Sequence, residues 1–373
     1  MNDNMVEWKK LGEVCDVLNG FAFKSKEYVP TGIRVIRISD VQSGYISDKD
    51  LVFYPVEKLS EYKRYLLKRG DLVMSLTGNP GRVACIQEER CALNQRVACL
   101  RAKGTSNSYL YYLFNCKEFE AVAFANSTGG AQKNLSTTWL NNYLIPIPSL
   151  EEQKRIVGIL DTFTDSIENL KQQIAQRRKQ LEFYRDQLLF SFKQNAIVSE
   201  VSTFAKGRID TKCLNADNYV SVENLLKDKA GKTISSVVPT EGNWVMYKEN
   251  DILIGNIRPY LRKIWFSDRC GGTNGDVLVI RPNEKVIPRY LFFVLSSERF
   301  FIYYNQTAKG GKMPRGEKAR ALQFDFYLPS TKAQSRIVSI LDTFEASISN
   351  LEAQLEQRLK QYEYYRNQLL TFE

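Results

Sequence analysis

Histidine is absent from all 373 residues. That absence removes Ser-His-Asp and Cys-His nucleophile systems, His-ligated zinc and imidazole base catalysis together. The seven cysteines, Cys15, Cys85, Cys91, Cys99, Cys116, Cys213 and Cys270, are odd in number and form no Cys-x-x-Cys pair, which argues against a disulfide framework and a zinc knuckle. No apolar run approaches the roughly 18 residues a membrane span needs, and Met1–Lys10 is too polar for a signal peptide. The chain therefore reads as cytoplasmic, with no membrane partner. Also missing are Gly-x-Gly-x-x-Gly, a phosphate-cradling Gly-x-x-x-x-Gly-Lys-Ser/Thr, a Gly-x-Ser-x-Gly elbow and the Asp/Asn-Pro-Pro-aromatic tetrad of amino-methyltransferases. Gly310-Gly311-Lys312 lacks the upstream glycine and the following hydroxyl of a phosphate loop. No catalytic residue, no metal site and no cofactor of its own is expected.

What the chain does have is an internal repeat. Gln153-Lys154-Arg155-Ile156-Val157 through Phe163 matches Gln334-Ser335-Arg336-Ile337-Val338 through Phe344, and the match runs without a gap into Tyr184-Arg185-Asp186-Gln187-Leu188-Leu189 and Tyr365-Arg366-Asn367-Gln368-Leu369-Leu370. From Gln153 to Phe190, 24 of the 38 pairs are identical, far more than chance allows. Each copy is helical by its spacing. Leu160, Phe163, Ile167, Leu170, Ile174, Arg177, Leu181, Tyr184 and Leu188 follow alternating steps of three and four, a heptad seam. Leu341, Phe344, Ile348, Leu351, Leu355, Arg358, Tyr362, Tyr365 and Leu369 repeat it. Pro148-Ser149 and Pro329-Ser330 precede the copies, each serine placed to cap orphan amides, and Ser149 with Glu152 spells a capping box. A helix of about 40 residues cannot bury such a stripe alone. The simplest partner is the other copy, parallel or antiparallel, because both seams carry the same interruption, Arg177 and Arg358.

The globular stretches on either side repeat more loosely. Residues 1–148 read as a mixed α/β domain, with strands at Ile33–Ser39, Asp71–Ser75, Val83–Ile86 and Val97–Arg101 and helical spacing across Ser108–Phe124. Residues 193–329 repeat the plan: Glu13-Val14 corresponds to Glu200-Val201, Asn94 to Asn274, Tyr109-Leu110 to Tyr290-Leu291 and Gly129-Gly130 to Gly310-Gly311. The aromatics at helical spacing in these stretches read as core. The chain is thus a duplicated unit of globular domain plus helix, with domains at 1–148 and 193–329 and helices at 149–192 and 330–373. The helices are nearly copied while the domains share only scaffold positions, as expected for one shared job and two different targets.

Net charge sharpens this. Residues 1–150 hold nineteen basic and fifteen acidic side chains, and residues 193–330 hold twenty-one and fourteen, whereas the helical stretches are neutral or slightly acidic. Basic globular units on neutral spacers suit polyanion binding. The polar loops offer the contacts: Thr77, Asn79 and Arg82; Asn94, Gln95 and Arg96; Gln132, Lys133 and Asn134 in the first domain; Arg258, Tyr260, Arg262 and Lys263; Asn274; Lys309, Lys312 and Arg315 in the second. Arginine and lysine can bridge guanine O6 and N7 or neutralise phosphate, and Asn and Gln can bridge adenine N6 and N7. Three readings stay open on the residues alone: a bipartite duplex-DNA reader, a duplicated binder of single-stranded nucleic acid or RNA, and a protein-only coiled-coil scaffold.

The duplicated Gln-x-x-Arg-Ile-Val-x-Ile-Leu-Asp-x-Phe and Tyr-Arg-x-Gln-Leu-Leu segments, after a domain opening with Trp8-Lys9-Lys10-Leu11-Gly12-Glu13-Val14, resemble the specificity subunit of bacterial Type I restriction-modification systems over essentially the full length. The second domain keeps only Glu200-Val201 of that opening. The resemblance implies an α+β fold: two mixed α/β target recognition domains separated by two long helices that form an antiparallel coiled coil with internal pseudo-twofold symmetry. It implies a non-catalytic subunit whose domains each read half of a split double-stranded DNA target, with the helices setting the spacer and docking two methyltransferase (modification) subunits. Restriction/translocase subunits would join them. S-adenosylmethionine, ATP and Mg would belong to those partners.

Overall fold

The computed structural model describes residues 6–130, 132–306 and 308–372. The first five residues of the polar N-terminus and Ala131 of the first Gly-Gly loop lie outside the described residues. Both repeat segments are single unbroken helices, Leu150–Phe190 and Thr331–Leu370. The Ser149 hydroxyl accepts the Glu152 amide at 3.2 Å, the cap its position suggests. Among the described residues no helix is long and apolar enough to cross a membrane.

The chain divides into two compact units, and each takes half of each long helix: 1–169 with 355–373, and 170–354. In the first unit the aromatic rings of Phe163 and Tyr365 stack at 5.3 Å, and the start of the first helix (Ile156, Leu160) shares one apolar cluster with Tyr362, Leu369 and Leu370 from the end of the second. In the second unit Tyr184 stacks on Phe344, also at 5.3 Å, and Arg178 bonds Glu352 at 2.6 Å. Residue numbers rise along one helix as they fall along the other, so the pairing is antiparallel. The interruption in each seam is resolved by a cation–π contact: Arg177 lies 5.8 Å over the Phe344 ring and Arg358 lies 5.7 Å over Phe163.

Of the expected seam, Leu160, Ile167, Ile174, Leu341 and Ile348 are buried. Phe163, Leu170, Leu181, Leu188, Phe344, Leu351, Leu355 and Leu369 are half-buried. Leu181 and Leu188 pack on the core of the second unit, and Leu369 packs on that of the first. The ends of the seam thus serve the globular domains as well as helix pairing.

Each domain is built on a four-stranded antiparallel sheet of the same order. In the first unit it runs Cys15–Asn19, Val97–Ala102, Leu72–Ser75, Val83–Cys85, and in the second Ser202–Phe204, Val277–Pro282, Ile252–Gly255, Ile264–Phe266. A second sheet in each differs at its edges. Phe53–Tyr54 flanks Ile33–Ile36 in one, whereas Arg208–Asp210 flanks Asn243–Tyr247 in the other. The helical spacing over Ser108–Phe124 resolves into two helices, Asn107–Phe114 and Lys117–Ala125, because Cys116 is extended and its sulfur takes the Phe119 amide as a cap. Ser297 does the same for Phe300 in the second unit. Tyr109, Tyr112, Phe114, Phe119, Tyr290, Phe293, Phe300 and Tyr304 are buried as expected, whereas Phe124, at the end of the first stretch, is exposed.

Three further devices recur residue for residue. Glu13 and Glu200 fold back on the amides of Lys10 and Ile197. Asp71 and Asp251 grip Arg101 and Arg281, at 2.6 Å each. Gln153 and Gln334, each 1% exposed, tie the helix start to its own domain. Gln153 accepts from Thr105 and from the Ser106 amide and donates to the Pro148 carbonyl. Gln334 accepts the Ile287 amide and donates to Pro329. Buried amides are costly unless all their polar atoms are satisfied, which explains why glutamine recurs in both copies.

Candidate nucleic-acid interface

In each domain the strand that precedes the first loop runs into a backbone lattice made with two distant loops. In the first, the Leu76 amide donates to the Arg96 carbonyl at 3.0 Å, its carbonyl accepts the Leu135 amide at 2.7 Å, and the Gly78 amide donates to Lys133 at 2.9 Å. In the second, the Asn256 amide donates to Asp276 at 2.8 Å, its carbonyl accepts Gly316 at 3.2 Å, and the Arg258 amide donates to Pro314 at 2.7 Å. The same lattice therefore positions the side chains of both domains. Gly78 takes a left-handed φ of 76°, and Arg258 stands at that place with φ 52°. A β-carbon makes this conformation costly, so the second domain tolerates strain to carry a side chain there.

In the first domain the lattice brings Thr77, Gln95, Arg96 and Asn134 to one shallow cleft of about 330 Å³. The Thr77 hydroxyl donates to Asn134 Oδ1 at 3.3 Å. Asn94 instead accepts the Arg96 amide at 3.3 Å and shapes the turn. Arg82 donates to Gln42 at 2.9 Å, and the Asn79 carbonyl receives the Ser75 hydroxyl at 2.5 Å, so that loop is pinned. Lys133 sits 5.4 Å over the ring of Phe124. Gln132 is exposed on the Gly-Gly loop. Gly129, at φ 102°, closes that loop: a β-carbon there would lie 2.5 Å from the Gln132 carbonyl oxygen.

In the second domain Arg315 donates from Nε to Asp276 at 3.0 Å, and Asn274 accepts the Asp276 amide at 3.2 Å, as Asn94 does for Arg96. Lys309 and Lys312 are exposed on the adjoining loop, and Tyr260, 52% exposed, tops the turn between Arg258 and Arg262. Arg258 has its Nε buried without a partner. Two expected contacts are engaged internally. Arg262 is held by Asp228 and by Glu298, the latter at 2.9 Å. The Lys263 amine donates to the Val222 carbonyl at 2.5 Å, and burial lowers its pKa from the ordinary lysine value. Their loop composition matches that of their neighbours, but acids and carbonyls more than 30 residues away claim them.

Asp276 is not among the residues that loop composition singles out, because a carboxylate does not suit a polyanion. The signal that finds it is the repeat itself, since Asp276 stands where Arg96 does. Among the described residues, no group of three or more His, Cys, Asp or Glu side chains is placed to hold a metal ion. The chemistry on offer is recognition: donors, amides and a buttressed guanidinium on rigid loops.

A family model described as the Type I restriction modification DNA specificity domain matches twice, over residues 5–177 and 194–361. The specificity subunit of the Type I restriction enzyme EcoR124I/EcoR124II of Escherichia coli is 28% identical over 294 residues, covering 71% of this chain and 70% of the relative. A putative Type I restriction enzyme specificity subunit of Haemophilus influenzae is 26% identical over 395 aligned positions, covering 98% and 96%. The crystal structure of a Type I restriction-modification S subunit from M. genitalium shares the fold, with a TM-score of 0.63 at 14% identity, covering all of this chain and 98% of the other.

Proposed function

This chain belongs to the family of Type I restriction modification DNA specificity domains, in two copies, and from that we propose that it is the DNA-recognition subunit of a Type I restriction-modification complex, acting without catalysis of its own. Each globular domain reads one half of a bipartite duplex target. The paired helices fix the unspecified spacer between the halves and dock two modification subunits, which supply S-adenosylmethionine and adenine methylation. Restriction/translocase subunits supply ATP- and Mg-dependent chemistry. The observation that carries this reading is the duplicated loop lattice: one scaffold, built twice, presenting two different sets of base-matching side chains.

The exposed lysines Lys309 and Lys312 neutralise phosphate, and Thr77, Gln95, Arg96 and Asn134 in one domain and Arg258, Tyr260 and Arg315 in the other face the duplex. Phosphate contacts make binding fall steeply with salt, whereas base contacts set sequence. Co-expression with a modification subunit of the same kind of system, followed by mapping of methylated adenines across the host genome, tests the reading. Two half-sites with an unspecified interval of fixed length are expected. A contiguous motif, or methylation without any motif, would overturn it, and so would a footprint on single strands only.

A further inference from the structure

The two clefts share a backbone and differ in which side chains they present. Arg96 and Asn134 of the first domain occupy the places of Asp276 and Arg315 in the second, since the Leu76–Arg96 and Leu76–Leu135 backbone bonds correspond to Asn256–Asp276 and Asn256–Gly316. The charges at the two places differ: a cation and an amide in the first domain, an anion and a cation in the second.

We propose that Arg315 is the guanine-reading residue of the second domain, aimed by Asp276, and that Asn134 reads adenine at the same place in the first. The proposal rests on the DNA-recognition reading above. Arg315 is exposed enough to meet a base, at 54% of its side chain, yet is fixed twice over. Its backbone amide and carbonyl both pair with Lys309, at 2.9 and 3.0 Å. Its Nε is taken by Asp276, whose own amide is held by Asn274. With Nε engaged, the terminal nitrogens remain as a planar donor fork, the complement of guanine O6 and N7. An exposed ion pair adds little to stability, so orientation is the better account of why an acid stands in a cleft that meets phosphate. Asn134 has no such buttress. Its carboxamide, steadied by the Thr77 hydroxyl, offers one acceptor and one donor side by side, the complement of adenine N6 and N7.

The test uses the chain in complex with its modification subunits. Mapping the wild-type motif comes first and judges the recognition reading by itself. Methylation of duplexes carrying every single-base change then compares Arg315→Gln, Arg315→Lys and Asp276→Asn. Discrimination at one G·C pair of one half-site should fall roughly ten- to hundred-fold in Arg315→Gln and by less in Arg315→Lys, with the other half-site untouched. Lysine keeps the charge and loses the fork, so its salt dependence should match wild type. Asp276→Asn, altering a positioning residue, should relax the same base pair less. The exchange Arg96→Asp with Asn134→Arg should convert one adenine preference in the other half-site to guanine. Thermal melting and retention of partner subunits separate misfolding from altered reading. With a bipartite motif in hand, unchanged discrimination in folded Arg315→Gln, or uniform weakening at all positions, overturns the guanine assignment. An exchange variant that folds and leaves the first half-site unaltered overturns the adenine one.

Discussion

Phe163 and Tyr365 stack with ring centroids 5.3 Å apart and planes 28° from parallel, and the repeat reproduces the pair with its partners exchanged, as Tyr184 on Phe344 at 5.3 Å and 24°. Each phenylalanine also lies under an arginine from the facing helix. One antiparallel contact is therefore written twice, and each instance belongs to a different unit. Phe163→Ala should destabilise the first unit by about 2 kcal/mol, and its double-mutant cycle with Tyr365→Ala should show a coupling of about 0.5–1.5 kcal/mol. Chemical denaturation of the four proteins of the cycle checks both values. A coupling near zero would mean that the stacked rings pack independently.

Gln153 is the bond between the first helix and its own domain. Replacing it with Leu leaves the Ser106 amide, the Thr105 hydroxyl and the Pro148 carbonyl without their partner, at about 1–3 kcal/mol for a buried polar group so orphaned. Gln334→Leu strands fewer groups, the Ile287 amide and the Pro329 carbonyl. Thermal melting should therefore show a larger drop for Gln153→Leu than for Gln334→Leu.

Glu27 gives the first domain an acid-sensitive contact. The Lys58 ammonium, bonded at 2.7 Å, and the Tyr54 hydroxyl hold its pKa down at about 2. A carboxyl depressed by folding stabilises fully above its unfolded value, near 4.5, and that contribution is lost as pH falls toward 2. Glu27→Gln should consequently lower stability by a constant amount above pH 5, and the gap to wild type should close as pH falls from 4.5 through 2. Urea titrations across that range measure it, and a gap undiminished at pH 2 would exclude Glu27 as the source.

The helices and their duplication were legible because a heptad stripe and a copied motif are periodic signals that survive without knowledge of the fold. The antiparallel sense came from the family resemblance, since the residues alone allowed either direction. The lattice of each cleft was half legible. Gly129-Gly130 and Gly310-Gly311 recur in register, and loop composition pointed to Thr77, Arg96, Asn134 and Arg315. What decides whether a loop arginine is available is how much of its guanidinium the acids beside it claim, and sequence distance hides this: Asp228 and Glu298, 34 and 36 residues from Arg262, take Nε and both terminal nitrogens, whereas Asp276 takes only Nε of Arg315. Gln153 is visible as part of the repeated motif but its burial is not, because a polar residue in the first turn of a helix ordinarily faces water.

Arg262 separates the two roles experimentally. It spans Asp228 and Glu298 with its side chain about one-third exposed, so Arg262→Ala should cost about 1 kcal/mol of stability in the second unit. Sequence discrimination should stay unchanged in both half-sites. Methylation of single-base-changed duplexes, read beside a melting curve, distinguishes this from a base-reading arginine, whose loss would leave the melting curve in place and relax one base pair.

The spacer is set by helix length if the paired helices act as a ruler. An α-helix rises about 1.5 Å per residue, so removing four residues from each helix shortens both by about 6 Å, equivalent to roughly one to two base pairs at about 3.4 Å each. The deletions must fall between Phe163 and Tyr184 in the first helix and between Phe344 and Tyr365 in the second, so that the stacked pairs of each unit keep their register. Methylation mapping of the shortened chain, co-expressed with its modification partner, should return the same two half-sites with a shorter interval. An unchanged interval would show that something other than the helices measures it. Unchanged half-sites with a shorter interval would place specificity in the globular domains and geometry in the rod, the division of labour that two nearly identical helices and two diverged domains imply.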